Sequence, residues 1–157
     1  MQIAYDFTDR EAEKAYGGKL PGPAKPGDVG IDLRAVTIEK KEVFGRPGYL
    51  SVGTGVRFKF PCGYYGELVL RSSTPLRFSV FLLGSVGIID TGYRGEVVAL
   101  LKCLGGDEAQ DQIRNNLLGK RFVQLLLHRA VYPIPVRGSV PVSTARGETG
   151  SGSSGHD

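Results

Sequence analysis

Residues 87–96 read Gly-Ile-Ile-Asp-Thr-Gly-Tyr-Arg-Gly-Glu, which sets one carboxylate, Asp90, and one phenol, Tyr93, at a glycine-bounded bend between apolar runs. An acid at such a bend has two possible occupations. It can satisfy the amides of its own turn, as Asp before Thr-Gly commonly does, or it can stand exposed as a catalytic acid held by strands on either side. Tyr93 is open in the same way, as a half-buried hairpin aromatic or as a flat wall against a ligand. A second chemistry-bearing stretch lies near the end, where Arg146 and Gly147 precede Ser151, Gly152 and Ser153. An arginine followed by glycines and hydroxyls can clamp a phosphate, with backbone N–H groups cradling the oxygens and the guanidinium pairing bidentately. The same composition also suits a plain linker.

The elements that must position these groups are strands. Short β-branched and aromatic runs at 52–60, 66–70, 78–83, 85–89, 96–103 and 122–128 are punctuated by Gly and Pro, a pattern that predicts an all-β sandwich, barrel or jelly roll with little helix. Thr8-Asp9-Arg10-Glu11 has the form of a capping box ahead of 12–16, a helical turn or a loop. The polar stretch 105–119 reads as an exposed excursion with room for one helical turn. Residues 1–142 form a single β-domain, and 143–157 form a flexible Gly/Ser-rich lid or tail without strand-forming or large apolar residues.

Composition narrows the classes. At 157 residues and 41% hydrophobic content, one domain can bury a core of modest size. No apolar run approaches the roughly 18 residues of a membrane span, and no basic-then-apolar leader opens the chain, so the expected address is cytoplasmic, or the host cytosol if the chain is viral. Cys62 and Cys103 are isolated from each other and from His, and read as buried thiols rather than metal ligands. The net charge of +4 comes from scattered Lys and Arg with no dense basic run. That argues against a nucleic-acid surface and leaves compact phosphate ligands open.

Five segments in order extend these readings: residues 28–35 (Asp-Val-Gly-Ile-Asp-Leu-Arg-Ala), 66–73 (Gly-Glu-Leu-Val-Leu-Arg-Ser-Ser), 87–96, 119–125 (Gly-Lys-Arg-Phe-Val-Gln-Leu) and 146–155. Together they resemble the five motifs of the homotrimeric dUTPase family. The resemblance implies a distorted jelly-roll subunit of the β-clip type, a homotrimer with sites at subunit interfaces, and hydrolysis of dUTP to dUMP and pyrophosphate with Mg²⁺. It implies Asp90 as the base for the attacking water and Tyr93 against the deoxyribose. Arg71, Ser72, Ser73 and Gln124 would hold the phosphates, and backbone groups around Gly84, Ser85, Val86, Gly87 and Ile89 would read the uracil. Arg146, Gly147, Ser151, Gly152 and Ser153 would close as a lid. Asp32 would lie near Mg²⁺ through water, or would pair with an arginine such as Arg121.

Two positions depart from the family's pattern. Ser151 stands where an aromatic usually stacks on the base, and Lys120 stands where an acid is usual. Two rivals remain. A dCTP deaminase would share Arg71-Ser72-Ser73 and Ile89-Asp90-Thr91-Gly92, but its acid–base glutamate would fall at Leu100. A non-catalytic nucleotide-binding regulator of the same fold would need no turnover.

Overall fold

The computed structural model describes residues 2–19 and 21–139. Two four-stranded antiparallel sheets and a two-stranded ribbon carry most of the chain. The strands are β1 (Ala4–Phe7), β2 (Ile31–Arg34), β3 (Thr37–Val43), β4 (Arg46–Gly53), β5 (Val56–Lys59), β6 (Tyr64–Leu70), β7 (Val80–Leu82), β8 (Gly87–Ile89), β9 (Val98–Cys103) and β10 (Arg121–Arg129). Among the described residues three helices are interspersed: α1 (Arg10–Ala15), α2 (Ser73–Phe78) and α3 (Gly106–Leu117). One sheet runs β2-β10-β6-β8, the other β3-β4-β9-β7, and β1 pairs with β5. The expected all-β class, antiparallel throughout, is what the chain forms.

Alternation makes the core. In β5, Val56 and Phe58 are buried while Arg57 and Lys59 face out, and Arg57 meets Asp6 of β1 at 2.8 Å. Leu33, Leu68, Val123 and Leu125 of one sheet join Leu50, Val52, Ala99 and Leu101 of the other in a single apolar cluster closed by Phe122. Burial of such side chains stabilises by roughly 1.5–3 kcal/mol each. Gly66 is required inside β6, because a Cβ there would lie 2.7 Å from Phe60 and 2.8 Å from Leu125.

Several expectations change. The run 52–60 is broken after Gly53, where Thr54 is buried with its hydroxyl donating to Val97 O at 2.7 Å and Gly55 adopts φ +67°. The stretch 78–83 begins as the end of α2, so its strand is only Val80–Leu82. The first helix exists, but its cap is Asp9, which accepts from Ala12 N at 2.8 Å. Thr8 stays with the ribbon, its backbone N–H donating to Gly55 O at 2.9 Å. The excursion at 105–119 holds a 12-residue helix, not a single turn. Cys103 is buried as expected, whereas Cys62, on the turn after β5, is exposed. No described helix is long and apolar enough to cross a membrane.

Candidate active site

The bend after β8 is built so that its acid is left over. Tyr93 N donates to Asp90 O at 3.0 Å and closes the turn. Thr91 Oγ1 donates to Tyr64 O at 2.6 Å and lies 3.0 Å from the Tyr132 hydroxyl. Arg94 Nη1 donates to Thr91 O and Tyr93 O, at 2.8 and 2.7 Å. Tyr93 is pinned through its hydroxyl to Glu96 O at 2.9 Å. Its ring is packed so closely over Gly95 that a Cβ there would collide with the phenol oxygen. With the turn satisfied by these groups, no described residue hydrogen-bonds or ion-pairs with the Asp90 carboxylate, which is exposed. Asp90 opens onto a cleft of about 380 Å³ whose walls include Tyr65, Ile88 and Tyr132. Glu96 is spent elsewhere, its Oε1 accepting from Gly55 N at 2.6 Å.

Upstream of β8 the backbone is twisted by two consecutive left-handed residues, Gly84 at φ +80° and Ser85 at φ +67°. Ser85 N donates to Leu82 O at 3.1 Å and Val86 N to Gly84 O at 2.8 Å. Val86 is exposed, while Gly87 and Ile89 are half-buried on the short strand itself.

The cationic residues gather toward the opposite end of the same sheet, where β6 ends at Leu70 and β10 begins. Asp32 on β2 is buried, and its two oxygens are divided between Arg71 Nε at 2.8 Å and Arg121 Nη1 at 3.0 Å. The alternative pairing of Asp32 with an arginine is therefore realised twice over. Arg71 is no loose charge at a strand end, since its backbone N–H is also bonded to Phe122 O at 3.0 Å. Ser72 and Ser73 follow at the start of α2, Ser72 exposed and without a capping bond, Ser73 half-buried against the cleft. Gln124 sits on β10 opposite Asp32 and Val69. Gly30 makes room for it, because a Cβ at Gly30 would lie 2.5 Å from the Gln124 amide oxygen.

The chain thus brings Asp90 and Tyr93 together at one bend, and Asp32, Arg71, Arg121 and Gln124 together elsewhere on the sheet, with Ser72 and Ser73 following Arg71. Asp90 lines one cleft, and Arg71, Ser73 and Arg121 line a different one within the single chain. Arg146, Gly147, Ser151, Gly152 and Ser153 lie outside the described residues. Tyr65 and Tyr132 at the Asp90 cleft, and Arg77 and Asn116 at the cationic one, carry no motif signal in the sequence, while Arg34 lies within the first motif without a role assigned to it.

For a metal, the described residues hold no cluster of three or more His, Cys, Asp or Glu. Asp32, buried with each oxygen already on a guanidinium, does not fit direct coordination. Mg²⁺ is ordinarily carried by triphosphate oxygens and water, with few protein ligands.

The family model described as dUTPase matches residues 17–155. A deoxyuridine 5'-triphosphate nucleotidohydrolase from Brucella melitensis is 34% identical over 145 residues, covering 91% of this chain and 88% of that protein. One from Anaplasma marginale is 32% identical over 140 residues, covering 89% and 91%. Among solved structures, the Staphylococcus bacteriophage 80alpha dUTPase with dUPNHPP superposes with a TM-score of 0.74 at 22% identity, over 99% of both chains. A dUTPase from phage phi11 of S. aureus, described with a structural Mg(II) ion, superposes at 0.63 with 16% identity, over 89% of this chain and 98% of that one. These structural likenesses carry the fold.

Proposed function

The chain belongs to the dUTPase family, and on that premise we propose that it hydrolyses dUTP to dUMP and pyrophosphate, with Asp90 aiming a water at the α-phosphorus. The observation that carries the reading is the exposed carboxylate of Asp90, which no described residue bonds, at a bend tied down by Thr91, Tyr93 and Arg94. The water's oxygen forms the new bond to phosphorus, the bridging P–O bond breaks, and pyrophosphate departs. Asp90 orients the water and takes up its proton. Positioning and charge neutralisation supply most of the rate in such reactions. Arg71, Ser72, Ser73 and Gln124 are the donors for the phosphoryl oxygens, and Asp32 acts by fixing the Arg71 guanidinium in one orientation. Mg²⁺, when bound with the triphosphate, would supply further neutralisation of the phosphate oxygens, and Asp32 would be the residue to hold it, through water.

Because the acid and the arginines line separate clefts, this reading requires a second copy of the chain. Asp90 and Tyr93 of one subunit would face Arg71 and Gln124 of another in a homotrimer, a closed ring in which every site is equivalent. The twisted backbone at Gly84, Ser85, Val86, Gly87 and Ile89 would offer amides and carbonyls to uracil, and a fixed set of donors rejects a mismatched base because buried polar groups are left unpaired. Tyr93 would bar a ribose hydroxyl. Arg146 with Gly147, Ser151, Gly152 and Ser153 would close over the phosphates.

The test is release of dUMP and pyrophosphate from dUTP with Mg²⁺, compared with Asp90→Asn. The variant should bind dUTP and lose about 10²–10⁴-fold in turnover. Unaltered turnover removes Asp90 from the mechanism. Ammonia from dCTP would make the chain a deaminase, and tight dUTP binding without pyrophosphate would make it a regulator.

A further inference from the structure

The ladder between β6 and β8 stops at the pair Gly66 and Ile89, in a register that would next set Tyr65 against Asp90 and Tyr64 against Thr91. The backbone turns instead, and the Tyr64 carbonyl loses the strand partner it would have had. Thr91 supplies a replacement from its side chain, Oγ1 donating to Tyr64 O at 2.6 Å. A threonine hydroxyl has one proton to give. With that proton committed, the 3.0 Å contact between Thr91 Oγ1 and the Tyr132 hydroxyl runs the other way, Tyr132 donating and Thr91 accepting. The exit of β10, the bend after β8 and the start of β6 therefore meet in one directed relay of hydrogen bonds.

Packing does not account for Tyr132. It is 65% exposed, and water readily replaces a hydroxyl contact at such a site, so the bond adds little net stability. Its approach is nevertheless set in advance. Ala130 N donates to Gly63 O at 2.8 Å just upstream, and Pro133 follows at once, which biases Tyr132 toward extended backbone. Among the described residues after β10, these are the two bonds that tie the segment down. The ring so held lines the same cleft as Asp90. Thr91 follows Asp90 directly, and Arg94 Nη1 donates to Thr91 O at 2.8 Å. The peptide next to the acid is thus restrained through both the side chain and the carbonyl of Thr91.

We propose that Tyr132 is a positioning residue, which through Thr91 holds the bend in the orientation that presents the Asp90 carboxylate to the cleft. Misplacing a reacting group by about 1 Å can cost on the order of 10²-fold in rate, so a bond of small value to stability can matter to turnover. That the carboxylate acts on a water rests on the hydrolase reading, whereas the latch between Tyr132 and Thr91 does not.

The experiment compares the full-length chain with Tyr132→Phe, which keeps the ring and removes the donor, and with Thr91→Val and Thr91→Ser. Without nucleotide, exchange of the Tyr93 amide hydrogen followed by NMR should quicken about tenfold in Tyr132→Phe and in Thr91→Val, as loss of one restraining hydrogen bond implies. Thr91→Ser keeps the hydroxyl and should exchange as the native chain does. With dUTP and Mg²⁺, kcat should fall about tenfold in the first two variants and be restored in the third, while KM stays within about twofold. Tyr132→Phe added to Thr91→Val should cost nothing more, since both break the same relay. Native exchange in Tyr132→Phe overturns the proposal, and so does native kcat in an active chain. A raised KM with native kcat also overturns it, making the ring a wall of the substrate site. A native chain without dUTP turnover would remove the hydrolase reading alone, and the exchange measurements would still decide the latch.

Discussion

Two aspartates show how little residue type says about role. Asp32 is buried and spends both oxygens on Arg71 and Arg121, whereas Asp90 is exposed and spends neither on any described residue. Asp32→Asn would leave two guanidinium groups short of their counter-charge. We expect a loss of about 2 kcal/mol in urea unfolding, below the range for a fully buried pair because both arginines keep contact with water. Tyr16 gives a pH signature. Burial pushes its phenol from 10.0 up to about 12, against the opposing pull of the Arg34 backbone bond. The neutral phenol is the folded form, so its contribution is complete below pH 10. It is lost as pH rises toward 12, because the unfolded chain ionises first. The unfolding midpoint should fall across that window, and less steeply in Tyr16→Phe, which also costs about 1–3 kcal/mol at neutral pH by stranding Thr54 O and Arg34 N. At this scale the bend that holds Asp90 and Tyr93 was legible because glycines and strand runs frame it, while the roles given to them came from the resemblance. The double use of Asp32 was only half legible, since pairing with Arg71 depends on which strands become neighbours.

Among the elements, α3 departs furthest from expectation. Its polar residues and flanking glycines disguise a stripe of Ala109, Ile113 and Leu117, spaced four apart, of which Ile113 and Leu117 are buried with Gln110. Three apolar positions in twelve is a thin signal, and an exposed loop has the same composition. The helix nonetheless packs into the core and is tied by Asp111 to Lys40 of β3 at 2.6 Å. Leu117→Ala should therefore destabilise by about 2–5 kcal/mol, measurable as a lowered denaturation midpoint, where a true surface loop would show no change. The strands were easier. β10 and β6 nearly coincide with their apolar runs, while β3 escaped notice because Ile38 is its one buried side chain.

For the whole molecule, the separation of Asp90 from the arginines makes a prediction that a self-contained site does not. Co-expression of Asp90→Asn with Arg71→Ala should restore turnover that neither variant has alone. In a randomly mixed ring about a quarter of the sites would combine an intact Asp90 from one subunit with an intact Arg71 from another. No recovery in verified mixed assemblies would place the whole site in one chain. The fold class was readable from strand spacing, whereas the placing of Asp90 and Arg71 on different clefts follows from the resemblance, which implies sites at subunit interfaces, and not from spacing, because it depends on which strands become neighbours. One further consequence follows from the turn after β5. Its thiol, Cys62, stands in the open while Cys103 is buried and pushed up toward the protonated form by that burial. A maleimide dye should couple at that one position without any engineering, so energy transfer between donor- and acceptor-labelled copies would report in real time whether copies associate.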